Sequence, residues 1–574
     1  VVIMRAKIFS VGVAVVFLFL GLSLFRMQLL QGGRWRDLSN KNCIRLIPQM
    51  GMRGNIVDRN GVVIVGSVLT YDAAILSQES TRVDQILLFL SRVTGVSLEQ
   101  LRKSYRKNYS SPSMPVTVIR NIDRQKAAAL EEMKLDIDSL IVQQTPVRYY
   151  PYGRLASHVV GYLSEIDHWR LTKLQDYGYK TRDIVGFGGI EEKYDYYLRQ
   201  EDGGLSVEVD HRGRFTRVLG FRPPLRGKDI QLTIDWRVQK MAEDALEERK
   251  GAVVILDPNS GEVIACASAP DFDPSVFVKK SYAAMGSMFN DSTAPLMNRA
   301  ISGTYPPASV FKLVGASAGL ETARISRSTE FYCPGSLQVG SRDFKCWDTH
   351  GEQDLIRGMA HSCDVFFYRV GLAVGGQNLH DYALKLGMGK PTGIELPYES
   401  SGNIPDPFWK RMYKFQRWYD GDTANMAIGQ GALLTSPLQI CRLMAIFANG
   451  GNLVTPYIIK AIDGQDVSAR HKKIFPARLR RSTVEAVRAS VRAVVSDSTG
   501  TGSVLANAPV SVAGKTGTAE TSDDKTHAWF AGFFPFERPR YAICVFLERG
   551  GHGYSSSILA KRIIDAMQQE RLFE

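Results

Sequence analysis

The stretch TYPPASVFKLVG, Thr304 to Gly315, sets a serine and a lysine three residues apart in a run that is otherwise nearly all apolar. Pro306 and Pro307 suit the start of a helix, where a fixed φ helps and a missing N–H costs nothing. Ser309 then falls in the first turn, near the positive end of the helix dipole. Lys312, at i+3, stands on the same face. Val310, Phe311, Leu313 and Val314 imply an apolar setting, and burial favours the neutral form of a lysine. A neutral amine beside a serine hydroxyl is a general base beside a nucleophile. The spacing alone is weak evidence. Ser104 and Lys107, in SYRK, share it in a charged setting that suits a solvated face.

Working outward, the region from Gly251 reads as α+β. GAVVILDPNSGEVIACASAP gives two strands around a Pro-Asn-Ser-Gly turn, and a helix follows over 308–322. HAWFAGFFPF and RYAICVFLERG read as an antiparallel hairpin, and SSSILAKRIIDAMQQERLF closes the chain as an amphipathic helix. Strands at both ends with helices between them predict an antiparallel sheet flanked by helices. Before this region, RGNIVDRNGVVI reads as two short strands around an Asn60–Gly61 turn, and residues 80–140 turn helical, as in RQKAAALEEMKL. At 574 residues the chain exceeds one ordinary domain. The expected division is 1–30, 31–240 and 241–574.

The first of these divisions is an anchor. Ile8 to Phe25 holds eighteen residues without a charge, flanked by Arg5, Lys7 and Arg26. That length crosses a bilayer core. A cleaved signal peptide would have a shorter apolar run and a small-x-small cleavage site, whereas RMQLLQGG follows here. The net charge of +13 has no dense Lys/Arg tract. With an anchor and no nucleic-acid motif, it fits a surface near anionic lipid or an anionic polymer. Seven scattered cysteines do not make a disulfide scaffold.

Two further elements strengthen the Ser309–Lys312 pair. Lys515, Thr516 and Gly517 occur inside VSVAGKTGTAE, just before the hairpin, which places them on or beside a sheet edge. Hydroxyls and an ammonium there can hold a carboxylate, and Gly517 lets a peptide backbone approach closely. A Ser-x-Asn or Ser-x-Asp would complete the set found in serine enzymes that react with penicillin. Three candidates exist: Ser362–Asp364, Ser401–Asn403 and Ser522–Asp524. Only the first two lie between the other motifs. Only Ser362 precedes a core-forming helix that could fix its geometry, so Ser362 and Asp364 are selected.

With these motifs in place the chain resembles the class B, monofunctional penicillin-binding proteins, and among them the elongation-specific branch. RGNIVDRNG, RYYPYGRLASHVVGY, GIEEKYDYYL, TYPPASVFK, SGNIPD, WYDGDTANMAIGQG and AGKTGTAE carry the resemblance along nearly the whole chain. It implies an elongated, non-catalytic pedestal of the dimerisation type, then a transpeptidase domain with the penicillin-binding, serine β-lactamase-like fold. It implies a donor stem peptide ending in D-Ala-D-Ala, attack by Ser309 on the penultimate carbonyl, and an amine from a neighbouring stem that resolves the acyl-enzyme. In that scheme Lys312 deprotonates Ser309 and Ser362 relays a proton to the leaving amine. The N–H groups of Ser309 and Thr518 form the oxyanion hole, and Lys515, Thr516 and Thr518 bind the terminal carboxylate. β-Lactams would inhibit covalently, and no cofactor enters the bond chemistry. The chemistry must face the cell-wall side of the inner membrane, with a cytoplasmic N-terminus. No glycosyltransferase segment is present, so a RodA-type polymerase and the rod-shape complex are implied partners. One departure stands out: the wider superfamily has Asn where this chain has Asp364. An ionised acid cannot donate as an amide does, so pairing with a lysine is expected instead.

Cys333, Cys346, His350 and Cys363 are separated by twelve, three and twelve residues. Three thiolates and an imidazole make a closed tetrahedral zinc site, and the resemblance implies metal-binding positions beside the active site. A Cys333–Cys346 disulfide and unrelated core thiols are the other readings. The rival functions are a β-lactamase or D,D-carboxypeptidase, a non-catalytic antibiotic sensor, and a scaffold for a polymerase. A β-lactamase needs a second base for deacylation. Glu399 and Asn403 share that element's spacing, but ESSGN lacks its leucine.

Overall fold

The structure, a computed structural model, describes residues 2–36, 44–76, 83–109, 115–133, 139–209, 215–521 and 524–573. They form two compact units that interleave along the chain. The first comprises residues 1–53, 67–147 and 200–227; the second comprises 54–66, 148–199 and 228–574. The linear division expected near residue 240 thus becomes a discontinuous one in space.

In the first unit, a helix over Val2–Phe25 continues into a π turn at Arg26–Leu30. The most apolar eighteen residues of Ile3–Leu30 have a mean hydropathy of 2.6, and this is the one helix among the described residues long and apolar enough to cross a membrane. A three-stranded antiparallel sheet joins Ile44–Gln49, Gly203–Val209 and Phe215–Arg222. A separate core gathers Ile86, Leu87 and Leu90 of one helix with Leu101, Val118 and Leu130. The expected helical run over 80–140 is interrupted. Pro115–Ile122 is a strand, because its alternating β-branched residues, Val116 and Val118, face the core.

The second unit is built on a five-stranded antiparallel sheet. Its strands are β1 (Gly251–Leu256), β2 (Val263–Ala269), β3 (Ala513–Glu520), β4 (Thr526–Phe534) and β5 (Tyr541–Leu547), in the order β2-β1-β5-β4-β3. Alternation explains its two faces. Val253, Ile255, Ile543 and Val545 share one core with α1 (Trp236–Leu246) and the C-terminal helix Gly553–Gln569. Ala252, Val254, Leu256 and Phe546 share the other core with α2 (Lys312–Glu321), α3 (Asp364–Val374) and the wholly buried α6 (Pro437–Ala448). Two shorter helices, α4 (Pro407–Lys414) and α5 (Asp420–Ala427), precede α6. Among the described residues β3 pairs with β4 alone, which leaves its other edge open.

The segment 54–66 belongs to this unit. Ile56–Val57 pairs in parallel with Ile230–Leu232. The Asp58 carboxylate accepts the N–H groups of Asn60 and Val62, each at 2.8 Å, and so closes the turn at Gly61. Arg148 and Glu191 are a buried ion pair at 2.6 Å, and Arg148 also donates to Gly54 O at 2.6 Å.

Candidate active site

The turn that presents Ser309 is held from both sides. Residues Ala308–Phe311 form a 3₁₀ turn that runs into α2. Side chains three apart eclipse in that geometry, which lines Ser309 up with Lys312. Ala308 takes a left-handed φ of +50°, and its N–H donates to Gly429 O at 2.9 Å. Gly429 has φ +74°, and a Cβ there would lie 2.1 Å from Ala308 O. Only glycine fits so close to that carbonyl. Upstream, Tyr305 exchanges two backbone hydrogen bonds with Thr435, each 2.9 Å. The Tyr305 hydroxyl donates to Glu548 at 2.6 Å, and Trp529 Nε1 donates to Pro306 O at 2.9 Å. Ser309 itself stays half-buried while Lys312 is fully buried.

Three distant segments meet at the Ser362 hydroxyl. Lys312 Nζ lies 3.2 Å from Ser362 Oγ and donates to Ser362 O at 2.7 Å. Lys515 Nζ lies 2.8 Å from the same Oγ. Asp364 Oδ1 accepts from Lys312 at 2.7 Å, so the acid in the middle motif meets a lysine. Ser362 sits at φ +55°, a left-handed bend that ends one short helix just before Cys363 caps α3. The isolated neutral amine expected at Lys312 is thereby replaced by a shared system of two amines, one hydroxyl and one carboxylate. Burial and the like charge of Lys312 drive Lys515 well below its ordinary range.

The Lys-Thr-Gly triplet lies on β3, at the open edge of the sheet. A Cβ on Gly517 would sit 3.2 Å from Pro307 O, which sets this strand directly beside the Ser309 turn. Gly553 N–H donates to Thr518 Oγ1 at 3.0 Å, and Gln430 donates to Thr518 O at 3.4 Å. Thr516 Oγ1 lies 2.7 Å from Thr501 Oγ1, and Thr501 N–H donates to Ala360 O at 3.1 Å. Sequence reasoning missed Thr501, Gly429 and Gln430. The glycines flanking Thr501 and Gln430 were the available signal, but no local pattern pairs them with the strand they touch.

The other sequence candidates lie apart. Ser401 O accepts from Gln439, and Asn403 is tied to Ala432 and Leu434. Glu399 accepts the N–H groups of Thr392 and Gly393 at 2.7 and 3.0 Å. Ser522 and Asp523 lie outside the described residues. Lys107 is exposed on its helix.

Beside the cleft, the ligand atoms of Cys333, Cys346, His350 and Cys363 all lie within 4.8 Å of one another. The four cysteine and histidine side chains come from strand ends and from the cap of α3. No disulfide joins them. His350 Nδ1 faces Cys346 Sγ at 3.5 Å and Cys333 Sγ at 3.7 Å. A hydrogen bond from Cys363 holds the Cys346 thiol far below its ordinary range. The Asp364 N–H donates to Cys346 Sγ at 3.3 Å, so the cluster touches the residue that grips Lys312.

Residues 251–568 match the penicillin binding protein transpeptidase domain, and residues 48–232 match the penicillin-binding protein dimerisation domain. The chain belongs to the penicillin-binding protein transpeptidase family. Within it, this is a class B, serine-type peptidoglycan D,D-transpeptidase of the MrdA-like, elongation-associated branch. It is 32% identical to the peptidoglycan D,D-transpeptidase MrdA of Escherichia coli strain K12, over 98% of this chain and 93% of that protein. It is 30% identical to MrdA of Acinetobacter baumannii, over 98% and 87%. A solved complex of penicillin-binding protein 2 with MreC from Helicobacter pylori matches with a TM-score of 0.81 and 27% identity, over 92% of this chain and 99% of that one. A solved peptidoglycan synthase complex that coordinates polymerization and crosslinking matches with a TM-score of 0.75 and 30% identity, over 98% of both chains.

Proposed function

We propose that Ser309 is the acylated residue, and that substrate arrival itself prepares its base. The observation that carries this is the Ser362 hydroxyl, which lies between Lys312 and Lys515 at 3.2 and 2.8 Å. In the resting site, burial disfavours charge on Lys515. A donor peptide brings its terminal carboxylate to Lys515, Thr516 and Thr518, and an anion there stabilises the ammonium form of Lys515. A proton passes from Lys312 to Ser362, and the Ser362 proton passes to Lys515. Lys312 is left as a free amine. It then takes the proton of Ser309 as the oxygen attacks the penultimate D-Ala carbonyl. The N–H groups of Ser309 and Thr518 stabilise the oxyanion. Collapse breaks the C–N bond, and the leaving D-Ala amine recovers a proton through Ser362. An acceptor amine then attacks the ester, forms the crosslink and returns Ser309 as a free hydroxyl.

Gly517 leaves the edge of β3 open to the substrate backbone, and Asp364 orients Lys312. Mass spectrometry of the penicillin-treated chain is expected to find the adduct on Ser309, and Ser309→Ala to abolish it. An adduct elsewhere refutes the assignment. A long-lived adduct separates a transpeptidase from a β-lactamase. The engagement of Glu399 and Asn403 in local backbone contacts removes the expected deacylating element of the latter.

The Cys333, Cys346, His350 and Cys363 set suits zinc. A tetrahedron with bonds of about 2.1–2.3 Å has edges under about 4 Å, and the four ligand atoms already lie within 4.8 Å. Zinc there would be structural, with no open position. The residues themselves brace Ser362 and Asp364, since Cys363 stands between them in sequence. Residues 1–30 would anchor the chain in the inner membrane, 31–240 form the pedestal and 241–574 the transpeptidase part, working on the cell-wall side. The relatives solved with MreC and in a peptidoglycan synthase complex support MreC-like and RodA-type partners.

A further inference from the structure

The segment DPFWKRMYKFQRWY, Asp406 to Tyr419, carries features that the fold does not require. Helix α4 starts where the Asp406 carboxylate accepts the Trp409 N–H at 2.6 Å. It ends at Phe415, which takes a left-handed φ of +55° and leaves its ring 90% exposed. That position ordinarily takes glycine or asparagine. A phenylalanine there strains the backbone and leaves a large apolar ring unburied. Phe408 and Tyr413 are also largely exposed, at 68% and 70%. Among them stand Arg411, Lys414 and Arg417, all exposed. Among the described residues none of these three cations has a carboxylate at ion-pair distance. Of the nearby acids, Asp406 caps α4, and Asp422 binds Lys410 at 2.5 Å and the Tyr419 N–H at 2.8 Å; Asp420 stands exposed in the first turn of α5, at no ion-pair distance from the three cations.

The patch is coupled to the cleft. Lys410 to Asp422, and Trp418 Nε1 to Thr423 Oγ1 at 2.8 Å, pin it to α5. Helix α5 spans about 12 Å and leads to Gly429 and Gln430, which touch Ala308 and Thr518. This surface is thus joined, through one short helix, to the residues that touch the nucleophile turn and β3.

We infer that the 408–417 surface is a subsite for the uncrosslinked glycan–peptide strand. Aromatic faces, electron-rich at their centres, take the C–H faces of sugar rings. Arg411, Lys414 and Arg417 take the carboxylates of stem peptides not engaged at Ser309. An anionic lipid surface would also attract a basic aromatic helix, but it gains nothing from the connection through α5 to the nucleophile turn. The inference rests on the transpeptidase reading and deepens it.

The test uses the full chain in nanodiscs of neutral lipid, with soluble uncrosslinked glycan strands bearing pentapeptide stems as the probe. The variants are Phe415→Gly and Arg411→Gln/Lys414→Gln. Phe415→Gly removes the ring and relieves the left-handed strain, so its melting temperature should hold or rise. Each variant is expected to bind strands about tenfold more weakly, a loss of about 1.4 kcal/mol. It should raise KM for strands while leaving KM for a free pentapeptide unchanged. Phe415→Trp should retain strand affinity. Unchanged strand binding in both variants overturns the inference. So does a loss confined to phosphatidylglycerol vesicles. Penicillin labelling of the unaltered chain at Ser309 reports on the transpeptidase reading alone, so the two can fail separately.

Discussion

At the scale of single residues, the Ser362 hydroxyl is the narrowest point of the proton path. Ser362→Ala removes a hydroxyl that lies within 3.2 Å of both lysine amines. The second-order rate of acylation by penicillin should fall by about 10²–10⁴, the range typical of a lost acid–base relay. A rate within threefold of the parent would refute the relay. Lys515 makes a second prediction, through stability. Burial and Lys312 lower its affinity for a proton in the native state, with Asp364 opposing. Between that lowered value and the ordinary 10.5, unfolding takes up a proton. Stability should therefore rise with pH across that window, by at most about 1.4 kcal/mol per pH unit. Below the lowered value this contribution is flat. Lys515→Met should remove the rise, which urea unfolding of both proteins between pH 7 and pH 10 would measure.

The elements add constraints that no single motif displays. Gly429→Ala would place a methyl group 2.1 Å from Ala308 O at φ +74°. Strain of at least about 1–3 kcal/mol is expected, with a lower melting temperature and slower acylation. A variant as stable and reactive as the parent would show that the nucleophile turn is not braced there. The cysteine and histidine cluster predicts about one zinc per chain by elemental analysis, and Cys346→Ser should lower both zinc content and melting temperature. A metal-free chain with full activity would end that reading. The sequence made several of these elements legible. Unbroken β-branched and apolar runs marked β1, β4 and β5, and Asn60–Gly61 marked the turn after Ile56–Val57. Ser309, Lys312 and Lys515 were legible because an apolar context isolates them. The strand at 115–122 was read as helix because neighbouring amphipathic helices dominated the pattern. Thr501 stayed hidden because its partner, Thr516, is set by packing rather than spacing.

For the molecule as a whole, the sequence suggested three parts in linear order, 1–30, 31–240 and 241–574. The structure instead gives one unit three separate stretches, 54–66, 148–199 and 228–574. Such discontinuity leaves no periodic trace, because each stretch obeys its own local pattern. A fragment of residues 241–574 lacks Ile230–Leu232, its neighbour Ile56–Val57, and the Arg148–Glu191 ion pair. It is expected to express mainly as aggregate. A fragment of residues 44–574 should stay soluble and bind penicillin. Comparable solubility and melting temperature in the two would refute this.

The interleaving also bears on how the chain matures. The ribosome releases residues 54–66 more than 150 residues before 228 emerges, so this early hairpin must wait for late sequence before it can settle. Throughout that interval the second unit remains unfinished. The proposed nucleophile turn waits longer still, because Tyr305 and Thr518 find their partners, Glu548 and Gly553, only at the far end of the chain.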